Sequence, residues 1–138
     1  MKNKSIEVLP GAEGIKEAYR RSLDAKAIDI VCLSEKYEEV LGGFFDQEYA
    51  PKLYSGAIRT REVLRATGDS RNTEKNTPSH DVRFIPVEGS CESDMLLTEN
   101  SIILISFDIN NPFAVVISEQ EVVRSFRVQF DALWEGLK

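Results

Sequence analysis

The stretch DMLLTENSIILISFDINNPFAVVIS, Asp94 to Ser118, decides how the rest of the chain must pack. It holds three apolar runs, at 94–98, 101–107 and 113–117. Glu99-Asn100 separates the first two, and Asp108-Ile109-Asn110-Asn111-Pro112 the second and third. Short runs rich in Ile and Val and bounded by Asn, Asp and Pro predict strands joined by tight loops. The middle run is apolar at Ile102, Ile103, Leu104, Ile105 and Phe107, which predicts a strand covered on both faces. Such a strand lies inside a sheet and needs a layer on either side.

The flanking segments can supply those layers. Across 12–25, Ile15, Ala18, Tyr19, Ser22 and Leu23 recur at the spacing of an amphipathic helix, and Pro10-Gly11 ends a short extended segment before it. Residues 27–33 (AIDIVCL) read as a strand. Ser34 then stands where a helix cap belongs, followed by Glu35, Glu38 and Glu39 and an apolar stripe of Tyr37, Val40, Leu41, Phe44 and Phe45. Gly42-Gly43 predicts a bend there or a close backbone approach. Residues 57–66 (AIRTREVLRA) form the next strand, whose alternation puts Arg59, Arg61, Val63 and Arg65 on one face and Ile58, Thr60, Glu62 and Leu64 on the other. Residues 67–81 carry no apolar side chain and predict a long loop. VRFIPV at 82–87 reads as a strand that Pro86 confines to an edge or a bulge. Ser118 and Glu121 have capping-box spacing for a last helix reaching about Gly136. Its stripe, which includes Phe126, Phe130 and Trp134, is either a core layer or a homodimer face.

The 138 residues suit a single domain spanning 1–138. With 17 basic against 23 acidic side chains, the net charge of −6 argues against a surface built for nucleic acid. The chain contains no apolar run of membrane-spanning length, and its first residues lack a signal-peptide core. Cys32 and Cys91 suggest no disulfide framework, so a cytoplasmic setting is expected, with Cys32 an inert buried thiol. The lone histidine, His80, has no Cys or His at ligand spacing, and neither a nucleophile elbow nor a phosphate cradle is present. No metal, cofactor or catalytic residue is therefore expected.

The arginines are the polar feature that stands out. Arg59, Arg61 and Arg65 share a strand face, and Arg83 lies on a strand that can run alongside. One reading is a cleft for a small anionic effector at Arg59, Arg61 and Arg83, with Ser34 and Asp94 contributing and residues 67–81 as a gate. The other is structural pairing with acids such as Glu62 of a neighbouring chain, Glu88, Asp94 or Asp29.

The order of these elements and their local wording carry a resemblance. VLPGAEGIKEAYRRSL (8–23), IRTREVL (58–64), VRFIPV (82–87), SDMLLTENSIILISF (93–107) with PFAVVIS (112–118), and VVRSFRVQFDALWEGL (122–137) together resemble the C-terminal effector domain of TrmB-like transcription regulators. Gly11-x-x-Gly14-Ile15-Lys16, Thr60-Arg61-Glu62 and Phe130-x-x-x-Trp134 are its most specific parts. The resemblance implies an α/β fold like one half of phospholipase D: a three-layer α-β-α sandwich with a mixed sheet. It implies a ligand-sensing or dimerisation module, a homodimer, and DNA contact only through a winged helix-turn-helix that this stretch does not encode. Phospholipase D enzymes use a His-x-Lys motif, whereas His80 is followed by Asp81 and Val82, so catalysis is not carried over. Neither is the sugar ligand of some members, which have additional C-terminal sequence.

Overall fold

The computed structural model describes residues 5–66 and 77–138. β1 (Ile6–Pro10) runs directly into α1 (Gly11–Ser22), and the chain turns at Gly11, whose φ is 73°. The next glycine is there for space. A Cβ at Gly14 would lie 2.3 Å from the carbonyl carbon and oxygen of Leu9, so α1 folds back against β1 only with glycine at that position.

β2 (Ala27–Cys32) follows, then α2 (Tyr37–Leu41), a π-helical turn (Phe45–Tyr49) and α3 (Ala50–Leu53). The bend foreseen at Gly42-Gly43 is real: Gly42 has a φ of 62° and ends α2. β3 (Arg59–Arg65), β4 (His80–Ile85), β5 (Ser93–Thr98), β6 (Ile102–Ser106), β7 (Phe113–Ile117) and α4 (Gln120–Gly136) complete the described order.

The seven strands form one mixed sheet in the order β1-β7-β6-β5-β2-β3-β4. β2, β3 and β4 are parallel, and all the other pairings are antiparallel. β4, the strand ahead of Pro86, is an edge. β6 is covered on both faces as its composition requires. Ile103 and Ile105 join Ile15, Tyr19 and Tyr49 in the core under α1, α2 and α3, while Ile102 packs with Leu97, Phe130 and Trp134 under α4. The result is the α/β three-layer arrangement, with three short helices on one face and one long helix on the other.

Three local readings are corrected. His80 does not lie in the loop; it is the first residue of β4, 5% exposed, because its register against Thr60 places it on the covered face of the sheet. Ser34 does not cap α2: its hydroxyl accepts from the N–H of Lys36 and donates to Glu92 before the helix begins. Ser118 does not close a capping box, since α4 starts two residues later and Glu119 accepts from the N–H of Val122. Of the expected 67–81 loop, residues 67–76 lie outside the described residues, and so does the gate assigned to them.

Candidate ligand-binding recess

Two polar networks lie on opposite faces of the sheet. On the α4 face, Asp29 of β2 is the hub. Arg61 of β3 pairs with it through Nε and Nη2, both at 2.8 Å, and reaches Asp131 at 3.0 Å. Arg127 from α4 also donates to Asp29. The Arg61 guanidinium lies 5.0 Å from the ring centre of Phe130 and 5.6 Å from that of Trp134. Arg83 sits 4.4 Å from the Trp134 ring centre and donates to the carbonyls of Trp134 and Leu137, closing the end of α4. A guanidinium there also suits the negative helix end.

The expected arginine face therefore forms, but its members do not converge on one cleft. Arg61 and Arg83 have their donors directed at groups of this chain, and Arg59 is exposed at the start of β3. Arg65 pairs with Glu35 at 3.0 Å and donates to the carbonyls of Leu33 and Gly89. Asp94 is the partner of none of them. Phe130 and Trp134 are buried against the sheet at 1% and 6% exposure, as the core-layer reading of the last helix requires, and Phe126 is half-buried beside them.

Ser34 and Asp94 come together elsewhere, at the carboxyl ends of β2 and β3 on the α1–α3 face. Open α/β sheets characteristically bind ligands outside the carboxyl ends of their parallel strands. A recess of about 250 Å³ opens here, lined by Cys32, Ser34, Tyr37, Tyr54, Glu62 and Arg65 among others. Asp94, paired across from Cys32 in the β2–β5 ladder, forms the ground behind it. Its Oδ1 accepts from the N–H groups of Leu33 and Ser34, both at 2.9 Å, and its Oδ2 from the Tyr37 hydroxyl, which also contacts the Cys32 thiol. Burial pushes the Asp94 carboxyl up to about 6, against the opposing pull of those hydrogen bonds. Burial, with the Asp94 charge adding to it, also raises the Cys32 thiol well above its ordinary range, which leaves it an unreactive thiol.

The inner wall of the recess is Glu62. Strand alternation had already placed this acid among apolar side chains, and it is 3% exposed. Tyr54, although 38% exposed overall, holds its hydroxyl 2.8 Å from Glu62 Oε1. Burial, followed by the charge of Glu62, raises that phenol. Glu62 Oε2 faces His80 Nε2 at 3.3 Å, and neither atom has a further partner. On its other side the His80 ring contacts Thr60 Oγ1 through Nδ1, and it packs edge-on against Tyr54 at 4.6 Å. The single histidine is thus enclosed rather than presented to a substrate.

Sequence reasoning read Cys32 and Tyr37 as core and left Tyr54 unremarked. The available signal was Glu62, a charged residue in phase with Ile58 and Leu64. A larger groove, about 680 Å³, lies at the opposite end of the sheet. Its arginines, Arg21, Arg124 and Arg127, are each bound to acids of the chain, so its volume alone does not mark it as a site. Among the described residues no group of His, Cys, Asp and Glu is placed to hold a metal ion, and no helix is long and apolar enough to cross a membrane.

The fold is the phospholipase D-like one, shared with a TrmB-like protein. The chain superposes on TrmBL2, an archaeal chromatin protein with a novel mode of DNA binding, with a TM-score of 0.64 over 99% of its length at 13% identity. It spans about half of that protein, 54%. It also superposes on NucT from Helicobacter pylori (TM-score 0.65, 10% identity, 96% of each chain). Nuc from Salmonella typhimurium, a phospholipase D family member, gives 0.59 at 14% identity over 97% of this chain and 96% of that one. The sequence matches no family model and no curated protein at a significant level.

Proposed function

We propose that this chain is a non-catalytic, ligand-sensing effector domain of a TrmB-like transcription regulator, and that the recess at the carboxyl ends of β2 and β3 is where it senses. One observation carries the reading. Three hydroxyl groups, from Ser34, Tyr37 and Tyr54, converge with the buried Glu62 on a walled recess at the carboxyl ends of the parallel strands. The enclosure of His80 by Thr60, Glu62 and Tyr54 supports the non-catalytic half. DNA contact would belong to a helix-turn-helix outside this stretch.

A thermal-shift screen of the chain against small metabolites of both charges tests this, with hydrolysis of bis(p-nitrophenyl) phosphate measured alongside. At least one compound is expected to raise Tm, the rise should vanish in Tyr37→Ala or Tyr54→Ala, and no turnover should be seen. Turnover lost in His80→Ala would overturn the reading.

A homodimer is a second reading, favoured by edge strand β1. Ile6 and Val8 are 48% and 63% exposed and lie in register with Ile117 and Val115 on the α4 side of the sheet. An apolar strip on an open edge suits association with a second copy. Sedimentation at high micromolar concentration is expected to show a dimer that Val8→Lys dissociates; a monomeric wild-type chain would rule it out.

A further inference from the structure

We propose that Asp94, Tyr37 and Cys32 form a proton-linked switch in the wall of the recess: one proton taken up by Asp94 reverses the hydrogen bonds that run through Tyr37 and changes what Tyr37 and Cys32 offer a ligand. The inference rests on the sensing reading above and adds the regulation of that site.

The geometry sets the starting direction. A phenol carries one proton. While Asp94 is ionised, that proton lies on the bond from Tyr37 to Asp94 Oδ2, so toward Cys32 the Tyr37 oxygen can only accept, and the thiol donates. Asp94 Oδ1 already takes the N–H groups of Leu33 and Ser34, both at 2.9 Å, which leaves Oδ2 as the oxygen that a proton can occupy. Once there the proton must be donated, and Tyr37 is the oxygen in front of it. The Tyr37 proton then turns to the Cys32 sulfur, which the hydroxyl already contacts, and the thiol proton loses its acceptor. One proton is gained by Asp94, and no covalent bond changes elsewhere. Leu33 and Ser34 keep their acceptor in both states, so the wall changes its chemistry and not its shape. Cys32 and Tyr37 both line the recess, so a bound molecule meets the difference.

Burial decides which group responds. Around Asp94, itself 2% exposed, stand Tyr19 of α1, Cys32 of β2 and Tyr37 of α2, with apolar Ile105 opposite it on β6. Burial raises both phenols and the thiol well above their ordinary values, so all three keep their protons. On β3, Glu62 is held by Tyr54 and His80, and Arg65 by Glu35 and the carbonyls of Leu33 and Gly89. Burial works to raise Glu92, the neighbouring acid, but hydrogen bonds from Ser34, Glu35 and Ser90 hold it below its ordinary range. At Asp94 burial outweighs the donors, and this carboxyl titrates at about 6.

The test uses the full chain carrying Cys91→Ser, which leaves Cys32 as its one thiol. Carbon NMR of the Asp and Tyr side chains and the Raman S–H band follow the three groups between about pH 4 and 8. Asp94 Cγ, Tyr37 Cζ and the Cys32 S–H band are expected to change with one shared midpoint at about 6, while the amide protons of Leu33 and Ser34 stay protected from exchange throughout. Asp94→Asn should leave Tyr37 and Cys32 unchanged across that range. Tyr37→Phe keeps the ring and removes the relay: Cys32 should stop responding, and the Asp94 midpoint should rise because the ionised form loses a donor. An Asp94 midpoint below about 4.5, in the ordinary carboxylate range, would overturn the switch. So would an Asp94 transition that Tyr37 and Cys32 do not follow. Loss of Leu33 and Ser34 protection in acid would overturn it too, since the wall would then open instead of reversing its bonds. The metabolite screen is read separately, so failure of the switch leaves the sensing reading standing.

Discussion

The two faces of the sheet handle buried polar groups in opposite ways. On the α4 face, Asp29 is met by two guanidinium groups, and Arg61 is held further by Asp131 and by the rings of Phe130 and Trp134. Asp29, Arg61, Arg127 and Asp131 thus have their counterparts within the chain. On the α1–α3 face the two buried acids, Asp94 and Glu62, are met by no guanidinium group. Asp94 relies on backbone N–H groups and a phenol, and Glu62 on one phenol and the His80 ring. A closed network fixes a helix to a sheet. An open one, built on hydroxyls at the edge of a recess, stays within reach of a ligand.

The comparison is strained hardest by removing the hinge of the closed side. Phe130→Ala takes away a 1%-exposed ring that packs under α4 and supports Arg61, and should cost about 4 kcal/mol in urea unfolding. A loss near 1 kcal/mol would mean that α4 is only loosely docked. Asp29→Asn leaves two guanidinium groups without their shared carboxylate. Because Arg61 and Arg127 retain contact with solvent, the expected cost is about 3 kcal/mol, the low end for breaking a buried pair.

The open side should respond to pH. Asp94 titrates near 6 in the folded chain and near 3.8 unfolded, so its contribution to stability is full below about 4 and is lost as pH rises through 6. The difference in stability between wild type and Asp94→Asn should therefore change by about 2 to 3 kcal/mol between pH 4 and 7. Acids held below their ordinary range, such as Glu48 and Glu99, act in the opposite direction and cancel in that difference. A pH-independent difference would place Asp94 in a more polar setting than its burial implies. Tyr54→Phe, which removes one hydroxyl from Glu62, should cost about 1 kcal/mol. Arg59→Ala, at an exposed position, should stay within about 0.5 kcal/mol.

Much of the closed side is legible in the sequence. Short apolar runs bounded by Asn, Asp and Pro gave the meander, the stripe of the last helix gave its buried face, and the alternation of 57–66 gave the arginine face with Asp29 among its possible partners. What could not be read was which arginine meets which acid. Asp29 and Arg127 are 98 residues apart, and no local rule joins them. The capping residues were missed for a similar reason. Ser34 and Ser118 have the right chemistry, but Glu92, 58 residues away, captures the first, and Glu119 is better placed to close α4. His80 looked like loop because its polar neighbours hide a strand start that only the Thr60 register fixes. The open side left one trace, Glu62 in an apolar phase. Tyr37 and Tyr54 are aromatic, and pattern alone cannot separate a core phenol from one that lines a recess.

The central claim is that the recess at the carboxyl ends of β2 and β3, not the arginine face, is where this fold meets a ligand. Mapping backbone NMR shifts during titration with a metabolite that raises Tm and with inorganic phosphate tests it most directly. The metabolite should move Cys32, Ser34, Tyr37, Tyr54 and Glu62 in a saturable way, and phosphate should move nothing at Arg59, Arg61 or Arg83. Saturable phosphate shifts on the arginine face, with the recess unmoved by the metabolite, would contradict the account.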